Sequence, residues 1–242
     1  MKLGVLGGTF DPVHTEHLLL AVEAANELAL DAVLLLPAPN PPHKSGAVTD
    51  YSVRKKMLEA FVSDAADVGI KIIIDETELE FYPEPSYAYK TLGRLAEKYA
   101  GDELTYVIGS DSLFKFTTWK NPDAVACTMP ICVYPRGSAE GVKEECDRLN
   151  ALYPGARFFP LDAVTAGVSS SLIRFLTETN QYERAEAFLT PSVYAFIRSN
   201  GLYGEYSLLT ERLKSELPPS LYVHSLNTAE WATEHAWLGG VS

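Results

Sequence analysis

Two histidines stand three residues apart in the stretch GGTFDPVHTEH, which spans residues 7–17 and follows the apolar run KLGVLG. On the first turn of a helix, His14 and His17 would share one face. Near a helix N-terminus, the dipole and the free N–H groups favour an anion. Gly7 and Gly8 permit positive φ and let backbone N–H groups approach an oxyanion closely. The pattern predicts a polyphosphate site.

Two other interpretations of these histidines exist. A metal site would need a third ligand, and no carboxylate or cysteine lies at a matching local spacing. Two surface histidines without a ligand are the remaining interpretation.

A second cluster of polar residues lies in VSSSLIR, residues 168–174. Ser169, Ser170 and Ser171 precede a run with helical period, so they are candidates for a helix cap. Their hydroxyl and N–H groups would also donate to phosphates, and Arg174 would add a fixed positive charge. A serine cap without any ligand is the simpler interpretation of this stretch alone.

Short apolar runs alternate with amphipathic stretches up to about residue 203. The predicted strands are KLGVLG, AVLLLP, IKIIID, LTYVIG, PICVYP and ARFFPL, and the main predicted helices are HLLLAVEAANELAL, YSVRKKMLEAFVSDA, SYAYKTLGRLAEKYA, SSSLIRFLTETN and TPSVYAFIRSNGLY. Continuous apolar strands separated by helices indicate an α/β fold, a Rossmann-like doubly wound parallel sheet with helices on both faces. The glycine pair would then lie at the carboxyl end of the first strand, where open α/β sheets bind ligands.

The composition excludes some classes of function. A formal net charge of −12 argues against a nucleic-acid surface, which needs a basic face, but not against a nucleotide site. The three cysteines, Cys127, Cys132 and Cys146, fit no zinc or disulfide spacing and are expected to be inert thiols. No targeting segment follows Met1 and no run is long enough to span a bilayer, so a soluble cytoplasmic protein is expected.

The histidine stretch resembles the first signature of the adenylyltransferases in the nucleotidyltransferase superfamily, G-G-[ST]-F-[DN]-P-x-H-x-G-H. The serine stretch resembles their second signature, I-S-S-T-x-[IV]-R. This resemblance implies that both stretches hold the phosphates of ATP, with His14 and His17 near the reacting centre. The other residues that it implies for the phosphate cradle are Gly7, Gly8, the N–H groups of Thr9 and Phe10, Ser169, Ser170, Ser171 and Arg174.

Further stretches resemble the nicotinate-nucleotide adenylyltransferase family, up to about Tyr203. PAPNPPHK is similar to the loop after the second strand of that family, in which Lys44 would be a mobile phosphate ligand. EPSYAYKTL is similar to a segment near the acceptor nucleotide, which implies that Ser86, Tyr87 and Thr91 bind the acceptor. The resemblance also implies a structural role near this loop for Arg54.

IGSDSLFKFTTWK fits the G-x-D-x(7)-W pattern of the same family, from Gly109 through Asp111 to Trp119. Asp111 would accept hydrogen bonds from ribose hydroxyls of ATP, and Trp119 would stack on a pyridine ring. A helix N-cap and a core aromatic are the structural alternatives for these two residues. VYPRG resembles a segment with a family arginine, Arg136, which is assigned to the acceptor.

The resemblance implies adenylyl transfer from ATP to nicotinate mononucleotide, giving deamido-NAD and pyrophosphate. Mg²⁺ would arrive with ATP, since no carboxylate cage for a resident metal is apparent. Transfer to nicotinamide mononucleotide or another phosphate acceptor is one alternative, and a nucleotide-binding module with weakened catalysis is another. The chain could also form a homo-oligomer; the sequence does not decide this.

Glu16 departs from the first signature, which has glycine at this position. Glycine would allow the adenine or its ribose to lie against bare backbone. The glutamate is therefore expected to turn away, to shift the base or to supply a contact of its own, at some cost in ATP affinity.

A domain boundary is predicted at about residue 204, between a nucleotidyltransferase domain (1–204) and a helical tail (205–242). The tail resembles the opening of an HD-type phosphohydrolase domain, with His224 as the first metal ligand. One histidine cannot hold a catalytic metal, so no phosphohydrolase activity is expected. A plain amphipathic extension is an equally good interpretation, in which Trp231 and Trp237 mark an apolar face.

Overall fold

The computed structural model describes residues 1–42, 48–163 and 167–204, together with Pro218 and Leu221. Its sheet has six strands: β1 (Lys2–Gly8), β2 (Ala32–Pro37), β3 (Lys71–Ile74), β4 (Glu103–Gly109), β5 (Ile131–Tyr134) and β6 (Phe158–Pro160). All neighbouring strands are parallel, in the order β3-β2-β1-β4-β5-β6. The predicted α/β fold and all six predicted strands are confirmed.

Nine helices occur in the described ranges: α1 (Thr15–Leu28), α2 (Tyr51–Asp64), α3 (Ala88–Lys98), α4 (Ser110–Leu113), α5 (Pro122–Thr128), α6 (Val142–Leu152), α7 (Ser170–Glu178), α8 (Tyr182–Glu186) and α9 (Pro191–Ser199). Two 3₁₀ turns occupy Thr77–Phe81 and Phe116–Thr118. The sequence predicted α1, α2, α3, α7 and α9. It missed α6, although Val142, Cys146 and Leu149 form a buried stripe at helical spacing.

The sheet has an apolar layer on each face, as a doubly wound fold requires. One layer packs α1, α2, α7 and α9 against the sheet, and the other packs α3, α5 and α6. Alternation along β2 shows the division, because Val33 and Leu35 belong to the first layer and Leu34 and Leu36 to the second. Within the described part of the chain, no helix has both the length and the apolar composition needed to cross a bilayer.

All three cysteines are free thiols. Cys132 and Cys146 are buried, and burial raises the pKa of their thiols to about 12 and about 11. Both are therefore protonated at neutral pH, as expected for inert packing residues.

The strand order places β1 next to β4, and the chain winds in opposite directions from this pair. Open sheets of this topology have a crevice at the carboxyl ends of the two central strands, because the following loops diverge. A separate cleft of about 490 Å³ lies at the opposite edge of the sheet, beside the amino ends of β1 and β4. The residues predicted to do chemistry lie at the carboxyl edge, so the site is described there.

Candidate active site

The glycine pair ends strand β1 rather than forming the turn. Neither Gly7 nor Gly8 has positive φ, and the left-handed conformation falls on Phe10, with φ of 50°. A Cβ on Gly7 would lie 3.2 Å from the Tyr106 hydroxyl, and one on Gly8 would lie 3.0 Å from the Phe10 ring. The expectation that these glycines supply a positive φ is therefore wrong. A Cβ at either position would require the neighbouring aromatic side chain to move by a few tenths of an ångström, so both positions are tightly packed.

The two histidines are in contact, but only His17 is inside the helix. His14 is the N-cap of α1 with extended backbone (φ −148°, ψ 171°), so the prediction that both lie on the first turn is corrected. The His14 N–H donates to Nδ1 of His17 at 3.1 Å, and the ring centroids are 3.8 Å apart. A neutral His17 ring that accepts at Nδ1 has its proton on Nε2. His17 lines the cleft, so Nε2–H is its donor for a ligand.

Both imidazoles are neutral in the folded protein. Burial lowers the pKa of His17 to about 3 and lowers that of His14 still further, and the charge of Arg136 acts in the same direction. In the described ranges, no three His, Cys, Asp or Glu side chains come together as metal ligands. The pair is therefore arranged to donate hydrogen bonds to an anion, not to bring two formal positive charges.

These shifts predict that the stability falls in mild acid. A histidine that is neutral when folded but has a pKa of about 6.5 when unfolded costs about 2 kcal/mol at pH 5. The unfolded chain binds more protons, so the contribution is complete above about pH 6.5 and is lost as the pH falls toward the folded pKa. Urea unfolding at pH 7 and pH 5 measures this loss. His17→Asn, which cannot titrate, is expected to lose about 2 kcal/mol less than the natural chain; an equal loss would contradict the assignment.

The second signature is connected directly to the first. Ser169 is the N-cap of α7 and accepts from the Leu172 N–H at 3.2 Å, as predicted for a serine cap. The Ser170 hydroxyl donates to the Pro12 carbonyl at 2.9 Å. Arg174 donates to the Asp11 carbonyl at 2.6 Å. The two signatures therefore form one unit, in which the Arg174 guanidinium holds the loop of residues 9–14 after β1, which we call the phosphate loop.

Glu16 adds a third connection between the signatures. It is only 6% exposed, and its Oε1 accepts from the Gly167 N–H at 2.6 Å, just before the serines. Arg136 donates to the Val168 carbonyl at 3.3 Å, so this segment is held from two sides. Of the three expectations for Glu16, turning toward a protein partner is the one that the structure shows. A carboxylate on the first turn of α1 is also favoured by the helix dipole.

Glu16→Gly tests whether this contact helps or hinders ATP. Removing the hydrogen bond would release Gly167 and the serines that follow it, so the KM for ATP is expected to rise about tenfold, which corresponds to about 1.4 kcal/mol. Glu16→Gln retains an acceptor oxygen and is expected to remain near the natural value. A lower KM in Glu16→Gly would instead support the cost in ATP affinity expected from the sequence.

Asp11 connects distant parts of the chain, a role that the sequence did not indicate. It is 4% exposed, and its carboxylate accepts from the Tyr203 hydroxyl at 2.6 Å and from the Thr49 N–H at 3.2 Å. Since Arg174 binds its carbonyl, Asp11 joins the first loop to α2, α7 and the end of the domain. Asp11, the aspartate of the first signature, therefore has a structural role.

Arg54 is the largest fully buried side chain. Its guanidinium donates to the carbonyls of Thr9, Ala38, Thr49 and Pro39 at 2.6, 2.9, 2.7 and 3.3 Å. These carbonyls belong to the loops after β1 and β2 and to the start of α2. The structural role implied for Arg54 is confirmed.

A cleft of about 400 Å³ brings most of the predicted ATP-binding residues together. Its wall includes Gly7, Gly8, Thr9, Phe10, His14, His17, Gly109, Asp111, Trp119, Arg136, Ser169, Ser170 and Ser171. Arg174 is not part of this wall. We call this space the phosphate compartment.

Asp111 and Arg136 form an ion pair in the wall of the phosphate compartment, with Nη1 of Arg136 3.5 Å from Oδ2 of Asp111. Gly109 is the N-cap of α4, so Asp111 is not the cap. A Cβ on Gly109 would lie 2.4 Å from the Asp111 carboxylate and 3.1 Å from the Tyr134 ring, so a larger residue would displace at least the Asp111 side chain. Arg136, assigned to the acceptor from the sequence, lies beside the histidines rather than beside Ser86.

An adjoining cleft of about 260 Å³ shares Gly7, Gly8 and Trp119 with the phosphate compartment. Ser86 and Tyr87 line it, and we call it the second compartment. Trp119 is half-buried, with its ring 5.2 Å from that of Phe116, so it is partly a packing residue and partly open to both spaces.

Thr91 does not reach the second compartment. It is 1% exposed, and its hydroxyl donates to the Tyr87 carbonyl and to Glu78, both at 3.3 Å. The assignment of Thr91 to direct acceptor contact is therefore corrected, because its hydroxyl points into the protein. Glu78, which the sequence did not single out, lines the compartment instead. Lys44 and the tail residues His224, Trp231 and Trp237 lie outside the described residues.

Comparison with known proteins identifies the family. The model of the cytidylyltransferase-like family matches residues 5–175, which defines the class: nucleotidyltransferases with this fold. A "Probable nicotinate-nucleotide adenylyltransferase" of Clostridium botulinum (strain Eklund 17B / Type B) is 33% identical over 207 residues, 84% of this chain and 98% of that protein. One of Exiguobacterium sibiricum is 35% identical over 175 residues, 72% of this chain and 85% of that protein. The chain belongs to the nicotinate-nucleotide adenylyltransferase family.

A solved structure confirms the fold. The Plasmodium falciparum nicotinic acid mononucleotide adenylyltransferase complexed with NaAD superimposes with a TM-score of 0.70, covering 84% of this chain and 97% of that chain. At 18% identity, this similarity concerns the fold alone.

Proposed function

We propose that this chain transfers the adenylyl group of ATP to nicotinate mononucleotide, producing deamido-NAD and pyrophosphate. The observation that carries the proposal is the union of the two signatures around one cleft, with His17 presenting a neutral donor beside the serines. The names of the relatives supply the acceptor.

The reaction needs no protein nucleophile. An oxygen of the acceptor phosphate, already anionic at neutral pH, attacks the α-phosphorus of ATP in line. A new P–O bond forms as the bond from the α-phosphorus to the oxygen that bridges to the β-phosphate breaks. Negative charge accumulates on the departing pyrophosphate. Catalysis is therefore positioning and charge stabilisation.

Each part of the phosphate compartment has a role in this scheme. His17 donates through Nε2–H to the α- or β-phosphate as charge develops. The backbone N–H of His14 holds the His17 ring in place through the hydrogen bond to Nδ1. Ser169 and Ser171 donate hydroxyls to the phosphates of the leaving group, whereas Ser170, whose hydroxyl donates to the Pro12 carbonyl, offers its backbone N–H. Thr9 and Phe10 supply backbone N–H groups, and Lys44 adds a positive charge from the loop after β2.

Asp111 and the second compartment bind the two nucleosides. The Asp111 carboxylate accepts from ribose hydroxyls of ATP. Trp119 stacks on the pyridine ring of the acceptor, and Ser86 and Tyr87 hold the acceptor beside it. Mg²⁺ enters as the magnesium complex of ATP, so it is part of the substrate and is held mainly by phosphate oxygens.

Pyrophosphate release, measured with ATP and a panel of acceptors, tests the proposal. We expect release with nicotinate mononucleotide and a lower kcat/KM with nicotinamide mononucleotide. A preference for nicotinamide mononucleotide or for another phosphate ester would change the acceptor. ATP binding without release for any acceptor would show a nucleotide-binding module instead.

A further inference from the structure

Glu78 is a buried carboxyl group in the wall of the second compartment. It lies on the 3₁₀ turn Thr77–Phe81 after β3 and is 8% exposed. Its Oε1 accepts from the Thr91 hydroxyl at 3.3 Å. Its Oε2 is buried and has no hydrogen-bond partner among the residues that the structure describes. A buried polar atom without a partner is costly and calls for an explanation.

Ser86 shows the same feature in the same wall. Its Oγ is buried and also lacks a hydrogen-bond partner within the described ranges. The Ser86 hydroxyl lies beside the Glu78 carboxyl, and these two polar groups line one small cleft with Tyr87 and Trp119. This arrangement suits a ligand that brings hydrogen-bonding groups of its own.

The electrostatic surroundings of Glu78 restrict what that ligand can present. Burial raises the pKa of its carboxyl, while the hydroxyls of Ser86 and Thr91 and the charge of Arg54 oppose the rise. A carboxylate oxygen accepts hydrogen bonds only. In its carboxylate form Glu78 repels an anionic group of the ligand, so an uncharged hydrogen-bond donor fits this position.

This step rests on the proposed function. Nicotinate mononucleotide has a carboxylate, a phosphate, a pyridine nitrogen without N–H and two ribose hydroxyls. The hydroxyls are its only neutral hydrogen-bond donors. With the pyridine ring against Trp119, the attached ribose comes next to the ring, within the same compartment.

We propose that Glu78 determines specificity for the acceptor by receiving a ribose hydroxyl through Oε2. Ser86, whose hydroxyl lies beside the Glu78 carboxyl, supplies a second polar contact. Loss of that hydroxyl from the acceptor leaves Oε2 without a donor, while Oε1 keeps its bond from Thr91, so a deoxyribosyl acceptor is rejected.

The experiment compares nicotinate mononucleotide with its 2′-deoxy and 3′-deoxy forms. For the natural chain, kcat/KM is expected to fall about 10- to 100-fold with one of the deoxy forms, the range of a hydrogen bond to a charged group. In Glu78→Ala, kcat/KM with the ribosyl acceptor falls by a similar factor, and the deoxy form costs nothing further. This non-additivity identifies a direct contact. The KM for ATP stays unchanged.

Glu80→Ala is the matched control. Glu80 lies on the same turn, is exposed, and forms an ion pair with Arg94 at 2.7 Å. We expect it to discriminate between the acceptors as the natural chain does. If Glu78→Ala fails to fold, the comparison on the natural chain still tests the proposal, since it requires no substitution.

Two results would overturn the assignment. One is equal kcat/KM of the natural chain for the ribosyl and both deoxyribosyl acceptors. The other is unchanged discrimination in Glu78→Ala, which would leave Glu78 only its contact with Thr91. Failure of the proposed function looks different, because the natural chain would then release no pyrophosphate with nicotinate mononucleotide itself.

Discussion

His17→Ala is expected to lower kcat by about 10²–10³-fold, the usual effect of removing one donor that stabilises developing charge. The Nε2–H group lies in the phosphate compartment and is oriented by the hydrogen bond between His14 N–H and Nδ1. Removing the ring takes away the Nε2–H donor and the Nδ1 acceptor. The fold is expected to survive, with a loss of about 1 kcal/mol for the helix cap. Steady-state kinetics and thermal unfolding of the same preparation measure the two effects.

Two further substitutions at this position separate the cap from the chemistry. Asparagine places an acceptor near the position of Nδ1, so His17→Asn is expected to regain stability but not turnover. Glutamine places a donor near the position of Nε2, so His17→Gln is expected to recover part of the turnover. Near-normal turnover in His17→Ala would contradict the proposed mechanism.

Arg54→Ala is expected to lower the free energy of unfolding by about 4 kcal/mol. The substitution leaves four part-buried carbonyls of three segments without their shared donor, and each orphaned group costs about 1–3 kcal/mol when it is fully buried and less where water reaches it. For a domain of this size, the expected fall in Tm is about 10 °C. Urea denaturation and calorimetry measure it.

Lys56→Ala is the control for Arg54, because Lys56 is exposed on the same helix. It is expected to change the stability by no more than about 0.5 kcal/mol. Arg54→Lys tests the geometry, since an ammonium group cannot reproduce the planar fork. A loss below about 1 kcal/mol in Arg54→Ala would show that the loops hold their positions without it.

The sheet was predictable because its signal is local. β2 is apolar at every position, AVLLLP, as a strand covered on both faces must be. The helix α6 was missed because its polar residues obscure a stripe of only three buried side chains. The short helix α4 spans four residues, too few for a period to be visible.

The site was predictable where a motif lies in one stretch of chain. His17 and the serines are examples. Asp11 and Glu78 were missed because their partners, Tyr203 and Thr91, are known only once the chain has folded. Thr91 illustrates the opposite error: its segment was identified, but the direction of a side chain at the start of α3 is not visible in the sequence.

The hydrogen bond between Tyr203 and Asp11 has a consequence for how the chain can be cut or extended. Tyr203 is 4% exposed, and its hydroxyl lies 2.6 Å from Oδ1 of Asp11, next to the phosphate loop. A fragment that ends before residue 203 would lose this donor and leave the buried Asp11 carboxylate with one bond fewer, so such a fragment is expected to be less stable. A segment fused after residue 204 would be tethered one residue beyond this contact. Any strain on such a segment would act next to the contact that joins Tyr203 to the loop after β1.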